Sequence, residues 1–318
     1  MNIKEVKTIT NIGAGTMGHA IALQFAIKGY QVNLYDHSAD GLKRGIELMK
    51  HDLQTFIDAK VVTESPETIM GRINTSTDLQ ESLQDTQFII ESIVEDETVK
   101  KQVWQEIEKL VPKDVVLATN TSGLSPTNLQ SVLTHPERFV VAHFWNPAQL
   151  MPLVEVVPGE KTNQATVDFT VELMNNIGKH AVPLKKEALG FVGNRIQLAV
   201  LREAFHIVNE EIASPEAVDD IIRYSLGRRW NLVGPIASAD LGGLDVFKNI
   251  SSYLYDDLAN NTGTDPVLNK KVENGELGLK TGQGFFTWTG SQGKEIVKER
   301  DHKLLEQMKD DQEKIITN

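Results

Sequence analysis

The sequence predicts an α/β fold in which a doubly wound, mostly parallel sheet is followed by a second, all-helical domain. Three observations carry this. β-rich runs alternate with amphipathic helical stretches over the first part of the chain, a glycine-rich turn joins the first run to the first helix, and strand signals fade after "HAVPLKKEALGFVGNR". The 318 residues exceed what one small core usually needs, and the expected division is 1–186 and 187–318.

The first element is "VKTITNIG", a short β-rich run that feeds directly into Gly13, Gly15 and Gly18. "HAIALQFAIKGY" then carries apolar residues at helical spacing to a stop at Gly29, and "QVNLYD" is a second β-rich run ending in Asp36. A βαβ unit of this length with glycines at this spacing is the dinucleotide-binding pattern of a Rossmann-like sheet. Gly13 permits the sharp turn, Gly15 lets the backbone approach a pyrophosphate, and Gly18 lets the helix pack close to the strand. The helix N-terminus offers its free N–H groups to the phosphates. Asp36 is placed to accept both ribose hydroxyls. Its charge repels a 2′-phosphate, and the following "HSAD" has no arginine to receive one, so the expected cofactor is NAD and not NADP.

Next comes "DGLKRGIELMKHDLQTFIDAKVV", a long amphipathic helical region, followed by "RINTSTDL" as strand and loop and "TQFIIESIV" as a buried strand. "DETVKKQVWQEIEKLV" is an amphipathic helix, and "DVVLATNTS" is a strand ending in small polar residues. "SPTNLQSVLT" opens with a serine cap and a proline at the first helical position. "RFVVAHFWNP" and "PLVEVVPG" are two more strands. Beyond them, "FVGNRIQLAVLREAFHIVNEEI" and "SPEAVDDIIRYSL" read as helices. The tail "KERDHKLLEQMKDDQEK" reads as a solvated helix with opposite charges at helical offsets, and "GLKTGQGFF" as a glycine-rich turn.

Bulk properties narrow the function. A formal net charge of −12 argues against a nucleic-acid backbone as the main partner. The absence of cysteine removes disulfides, thiolate metal sites and thiol nucleophiles, and fits a reducing compartment. "MNIKEVKTIT" lacks a signal-peptide core, no apolar run is long enough to span a bilayer, and the expected location is cytoplasmic, with no membrane partner. The histidines show no ligand spacing, so no metal is expected.

Hydride transfer at an alcohol needs a base for the hydroxyl proton and a group that holds the base in the right tautomer. "AHFWNPAQLMPLVEVV" supplies both, with His143 at the end of one strand and Glu155 within the next. A carboxylate on one imidazole nitrogen leaves the other free to take a proton.

Together, "GAGTMG", "ESIVEDETVKK", "NTSGLSPTNL", "HFWNP", "PLVEVVPG", "GFVGNR" and "SLGRRWNLVGPIASADLGGLDV" resemble the L-3-hydroxyacyl-CoA dehydrogenase family, including its relatives that oxidise gulonate and carnitine. The resemblance implies His143 as catalytic base with Glu155 as partner, and Ser122 and Asn194 as donors to the substrate oxygen. It places Glu95, Lys100 and Asn120 beside the cofactor, starts the second domain near Asn194, and implies a homodimer. An acyl-CoA is the expected substrate, interconverted between 3-hydroxy and 3-keto forms. A small free 3-hydroxy acid such as carnitine or gulonate is the alternative, and a non-catalytic NAD-binding protein the more distant one.

Several positions bear on that choice. Mitochondrial-type members offer CoA a serine and a lysine from the helix after the second strand. Met49 and Phe56 fall at those places here and cannot bind phosphate, although Lys43, Arg44, Lys50 and Lys60 lie nearby. Pro152 stands where many acyl-CoA members have lysine, as in the gulonate and carnitine enzymes. Arg228 and Arg229 are candidates to clamp a carboxylate, and Trp230 or Trp145 to face a quaternary ammonium. The other reading is that Trp230 packs in a core and the arginines are surface charges.

Overall fold

In the computed structural model of the chain, residues 2–317 are described. Eight strands are found among them: β1 (Thr8–Ile12), β2 (Gln31–Tyr35), β3 (Ile73–Ser76), β4 (Phe88–Glu91), β5 (Val116–Thr119), β6 (Phe139–Phe144), β7 (Leu153–Pro158) and β8 (His180–Pro183). They form one sheet in the order β3-β2-β1-β4-β5-β6-β7-β8. Neighbours run parallel except β6 and β7, which are antiparallel. The chain order reverses between β1 and β4, so a crevice opens there beyond the strand ends, where open α/β sheets bind ligands.

The helices of this part are α1 (Gly18–Ile27), α2 (Ala39–Asp58), α3 (Pro66–Met70), α4 (Leu79–Ser82), α5 (Glu97–Leu110), α6 (Pro126–Gln130) and α7 (Gln164–Asn176). Their starts are written in the sequence. Ser38 accepts from the N–H of Gly41, Asp96 from Val99, and Ser125 from Asn128 with Pro126 following it. β4, β5 and β6 are buried at every position, because helices cover both faces of the sheet. Alternation along β4 divides the core. Phe88 and Ile90 join Phe25, Met49 and Phe56 on one face, while Ile89 joins Trp104 and Phe139 on the other. Trp104 and Phe139 meet edge to face with ring centres 5.2 Å apart.

The chain forms two compact units, one running through Val192 and resuming at Arg300, the other spanning Gly193–Glu299. The second contains α8 (Gly193–Asn209), α9 (Pro215–Tyr224), α10 (Leu226–Gly242), α11 (Leu244–Leu254) and α12 (Pro266–Glu273). α10 is interrupted at Gly234, whose φ of 65° precedes Pro235. "GLKTGQGFF" forms tight turns between the bridges Gly278–Gln283 and Gln283–Thr287, with φ of 71° at Gly278 and 81° at Gly282. The last helix is α13 (Gln292–Thr317).

The tail differs from the expected solvated helix. Leu305 is buried in the larger apolar cluster of the first unit, and Leu304 and Met308 pack against it. These residues at i, i+1 and i+4 make a narrow apolar stripe that the surrounding charges hid from a reading by composition. Among the described residues, no helix is long and apolar enough to cross a membrane.

Candidate active site

The glycine turn lies at the carboxyl end of β1, over the reversal point of the sheet. A Cβ on Gly13, whose φ is +99°, would stand 2.8 Å from the carbonyl oxygen of Ser92, and one on Gly18 would stand 1.9 Å from that of Gly13. Both sites therefore exclude any side chain. Gly15 has no heavy atom within 4 Å of its would-be Cβ, so its face is open to a ligand. Among the described residues, the N–H groups of Gly15, Thr16 and Met17 donate to no acceptor in the protein. The Oγ of Ser92 is likewise buried without a partner. Asp36 follows β2, its Oδ2 accepting from the N–H of Ala14 and its Oδ1 from that of Ser38, each at 2.9 Å. Ala14, Gly15, Thr16, Asp36, Gly41 and Arg44 line a cleft of about 380 Å³. Free N–H groups at a helix start, an open glycine and a carboxylate beyond the second strand fit a dinucleotide with pyrophosphate at the turn and ribose at Asp36.

A buried polar network stands at the end of β4. Glu91 and Lys100 form an ion pair at 2.5 Å with side chains 0% and 1% exposed. Glu91 also accepts from Thr119 Oγ1 at 2.6 Å and from the N–H of Ile93 at 2.7 Å, so both its oxygens are occupied. The ammonium of Lys100 reaches Glu95 at 3.3 Å as well. Glu95 in turn accepts from the hydroxyl of Thr121 and from the N–H of Ser122 at 2.8 Å. The network thus joins Lys100 and Glu95 to the segment that carries Ser122. Glu91, its centre, was not singled out in the sequence. The available signal was an acid closing the apolar run "FII", a place a carboxylate occupies only when paired.

His143 and Glu155 are directly opposed on antiparallel β6 and β7. Nδ1 of His143 lies 3.0 Å from Oε2 of Glu155, with the side chains 6% and 3% exposed. The indole Nε1 of Trp145 donates to the same oxygen at 3.3 Å, and the N–H of Val192 donates to Oε1 at 3.0 Å. The imidazole is flanked by Trp145 and Phe191, with ring centres 5.8 and 5.5 Å away. Asn120 is buried, and its Oδ1 accepts the N–H of Phe144 at 2.8 Å, tying the end of β5 to the residue after His143.

Other expected positions fall elsewhere. Asn194 lies in the first turn of α8, in the second unit. Arg228 lies over the ring of Tyr224 at 5.2 Å, Arg229 is exposed, and Trp230 is half-buried. The indole N–H of Trp145 points to Glu155, which gives it a polar partner other than a ligand. Met49 and Phe56 are 0% and 2% exposed in the core, whereas Lys43, Arg44, Lys50 and Lys60 are on the surface.

The fold and turn define a dinucleotide-binding protein, and comparison with known proteins gives the family and, with it, an NAD-dependent oxidoreductase. The family model "3-hydroxyacyl-CoA dehydrogenase, NAD binding domain" matches residues 8–188, and that for the C-terminal domain matches 190–288. A 5-formyl-3-hydroxy-2-methylpyridine 4-carboxylate 5-dehydrogenase of Mesorhizobium japonicum is 34% identical over 94% of this chain and 96% of its own. A probable 3-hydroxybutyryl-CoA dehydrogenase of Deinococcus radiodurans is 36% identical over 87% of this chain and 98% of its own. Among solved structures, an NAD+-dependent dismutase acting as that pyridine carboxylate dehydrogenase superposes with a TM-score of 0.90 at 32% identity, covering 96% of this chain and 99% of the other. The (S)-3-hydroxybutyryl-CoA dehydrogenase of Ralstonia eutropha gives 0.75 at 33% identity, covering 90% and 100%. The chain belongs to the 3-hydroxyacyl-CoA dehydrogenase family.

Proposed function

We propose that the protein interconverts an alcohol and its carbonyl, with His143 as general base and Glu155 as the group that orients and charges it. The opposition of the two side chains at 3.0 Å carries this reading. With Nδ1–H donated to the carboxylate, Nε2 presents its lone pair to a substrate hydroxyl, and the negative charge of Glu155 offsets the imidazolium formed when the proton arrives. Bound NAD supplies the hydride acceptor for the carbinol carbon. Gly13, Gly15 and Gly18 shape its pyrophosphate seat, Asp36 holds the ribose, and Glu95 and Lys100 border the nicotinamide end with Asn120. Ser122 donates to the substrate oxygen, stabilising it as it changes between hydroxyl and carbonyl. Asn194 is assigned the same role on resemblance alone. A module that only binds NAD has no use for an oriented imidazole.

The acyl-CoA substrate follows from the family, the small free acid from a particular observation. Met49 and Phe56 are committed to the core of the first unit, so α2 lacks the serine and lysine that mitochondrial-type members offer to CoA. The 0.90 superposition on a dehydrogenase of a pyridine carboxylate points the same way. An NADH absorbance assay should compare acetoacetyl-CoA, dehydrocarnitine, 3-dehydrogulonate and 5-formyl-3-hydroxy-2-methylpyridine 4-carboxylate. Turnover of the first alone establishes the acyl-CoA reading, turnover of a free acid alone the other, and turnover of none removes both.

The helical unit is proposed to complete its core in a homodimer. No residue of α8–α12 is buried, and Leu232, Ile236 and Leu241 are 81%, 80% and 77% exposed. So much apolar surface on packed helices calls for a cover, and a second copy of the chain is the cover the resemblance implies. Sedimentation at micromolar concentration should give twice the chain mass.

A further inference from the structure

His19, in the first turn of α1, is the one buried histidine besides His143 among the described residues. Its Nδ1 lies 2.8 Å from the carbonyl oxygen of Gly15, and its Nε2 lies 3.2 Å from Oδ2 of Asp52 on α2. Both neighbours are acceptors, so a neutral ring can donate to only one at a time, and only the imidazolium donates to both. The carbonyl of Gly15 also accepts the backbone N–H of His19 at 3.1 Å, and is therefore held from two directions.

Peptide planarity transmits that hold to the opposite side of the turn. The C=O of Gly15 and the N–H of Thr16 belong to one trans unit and point in opposite directions. Holding the carbonyl toward α1 and α2 fixes the Thr16 N–H the other way. Gly15 and Thr16 line the cleft beside Asp36, and the Thr16 N–H has no acceptor in the protein among the described residues. We propose that His19 and Asp52 form a cofactor-positioning pair, which clamps the Gly15–Thr16 peptide so that its N–H faces the pyrophosphate. The inference rests on the glycine turn being the pyrophosphate seat. It adds a residue pair outside the glycine pattern that sets cofactor affinity without touching the reacting atoms.

The test is NADH binding, followed by fluorescence, together with steady-state kinetics in NAD. His19→Ala and Asp52→Ala should each weaken NADH about tenfold, the scale of one lost hydrogen bond to a charged group, and raise the KM for NAD to match. The kcat at saturating NAD should stay within about twofold, because a clamp that only shapes the seat leaves hydride transfer alone. His19→Asn places an amide N–H where Nδ1 stood and should recover most of the His19→Ala loss, whereas His19→Gln, which reaches toward Asp52, should not. NADH affinity unchanged in His19→Ala, or equal recovery by Asn and Gln, overturns the pair. Gly15→Val separates this from the underlying reading, since its Cβ enters open space. If Gly15→Val abolishes NADH binding while His19→Ala leaves it intact, the clamp alone fails. If Gly15→Val also binds NADH normally, the seat itself is elsewhere.

Discussion

The indole N–H of Trp145 and Nδ1 of His143 converge on one oxygen of Glu155, at 3.3 and 3.0 Å. That oxygen is acceptor-only while ionised, so the imidazole must donate from Nδ1 and keep its lone pair on Nε2. Replacing His143 by Ala removes the proposed base. Turnover should fall by at least about a hundredfold while NADH binding changes little. Glu155→Gln retains the shape but loses the charge, and should lose about as much. Stopped-flow rates beside fluorescence titration check both, and an unaltered rate in His143→Ala would take this histidine out of the mechanism.

Asp36 and Arg44 line the same cleft. The sequence after Asp36 shows no arginine in "HSAD", yet one helical turn further along α2 Arg44 comes to the cleft wall. Asp36→Ala should raise the KM for NAD about tenfold and admit NADP, since the repulsion against a 2′-phosphate is gone and a cation remains. Asp36→Ala/Arg44→Ala should lose the gain toward NADP while keeping the deficit toward NAD. Kinetics with each coenzyme decide it, and an intact preference in Asp36→Ala would move ribose recognition elsewhere.

Much of this was legible because local rules and the fold agree. The glycines of the first turn, the cap at Ser125 and the apolar runs of β4 and β5 each show their place within a few residues. His143 and Glu155 were readable because the strands bearing them are adjacent in the chain. What escaped lies in pairings distant in sequence or masked by charge. Glu91 needs Lys100, Thr119 and Ile93 around it before its meaning shows. The bond from Val192 to Glu155 spans 37 residues, and no local period encodes it. The strand β8, "HAVP", is too short and too exposed to stand out by alternation, and its place is set by pairing with β7.

The ion pair of Glu91 and Lys100 yields a stability test. Both charges are out of water, so removing one leaves the other uncompensated. Lys100→Met should destabilise the protein by about 3–5 kcal/mol, whereas Glu91→Gln/Lys100→Met, with both charges removed, should recover a substantial part. Urea unfolding of the three proteins at one pH provides the comparison. A double variant no better than Lys100→Met would mean that packing, not charge, sets the cost.

Lys179 carries a pH signature. Its ammonium is buried, donating to the carbonyls of Ala148 at 2.6 Å and Met151 at 3.0 Å, and lies 5.9 Å from the ring centre of Phe144. Burial outweighs these contacts and pushes its pKa down from 10.5 to about 7. Below about pH 7 the folded and unfolded chains both hold this proton, and the group adds no pH dependence. From about 7 toward 10.5 the unfolded chain keeps the proton that the folded one has released, so stability from this group rises with pH across that window. Lys179→Met has no proton to exchange and should lose that rise, whatever its absolute stability after the two carbonyls lose their donor. Melting temperatures of the two proteins, taken stepwise from about pH 6 to about pH 9.5, isolate the effect as a difference in slope. Parallel curves would show that Lys179 stays charged in the fold, held by the two carbonyls and the Phe144 ring.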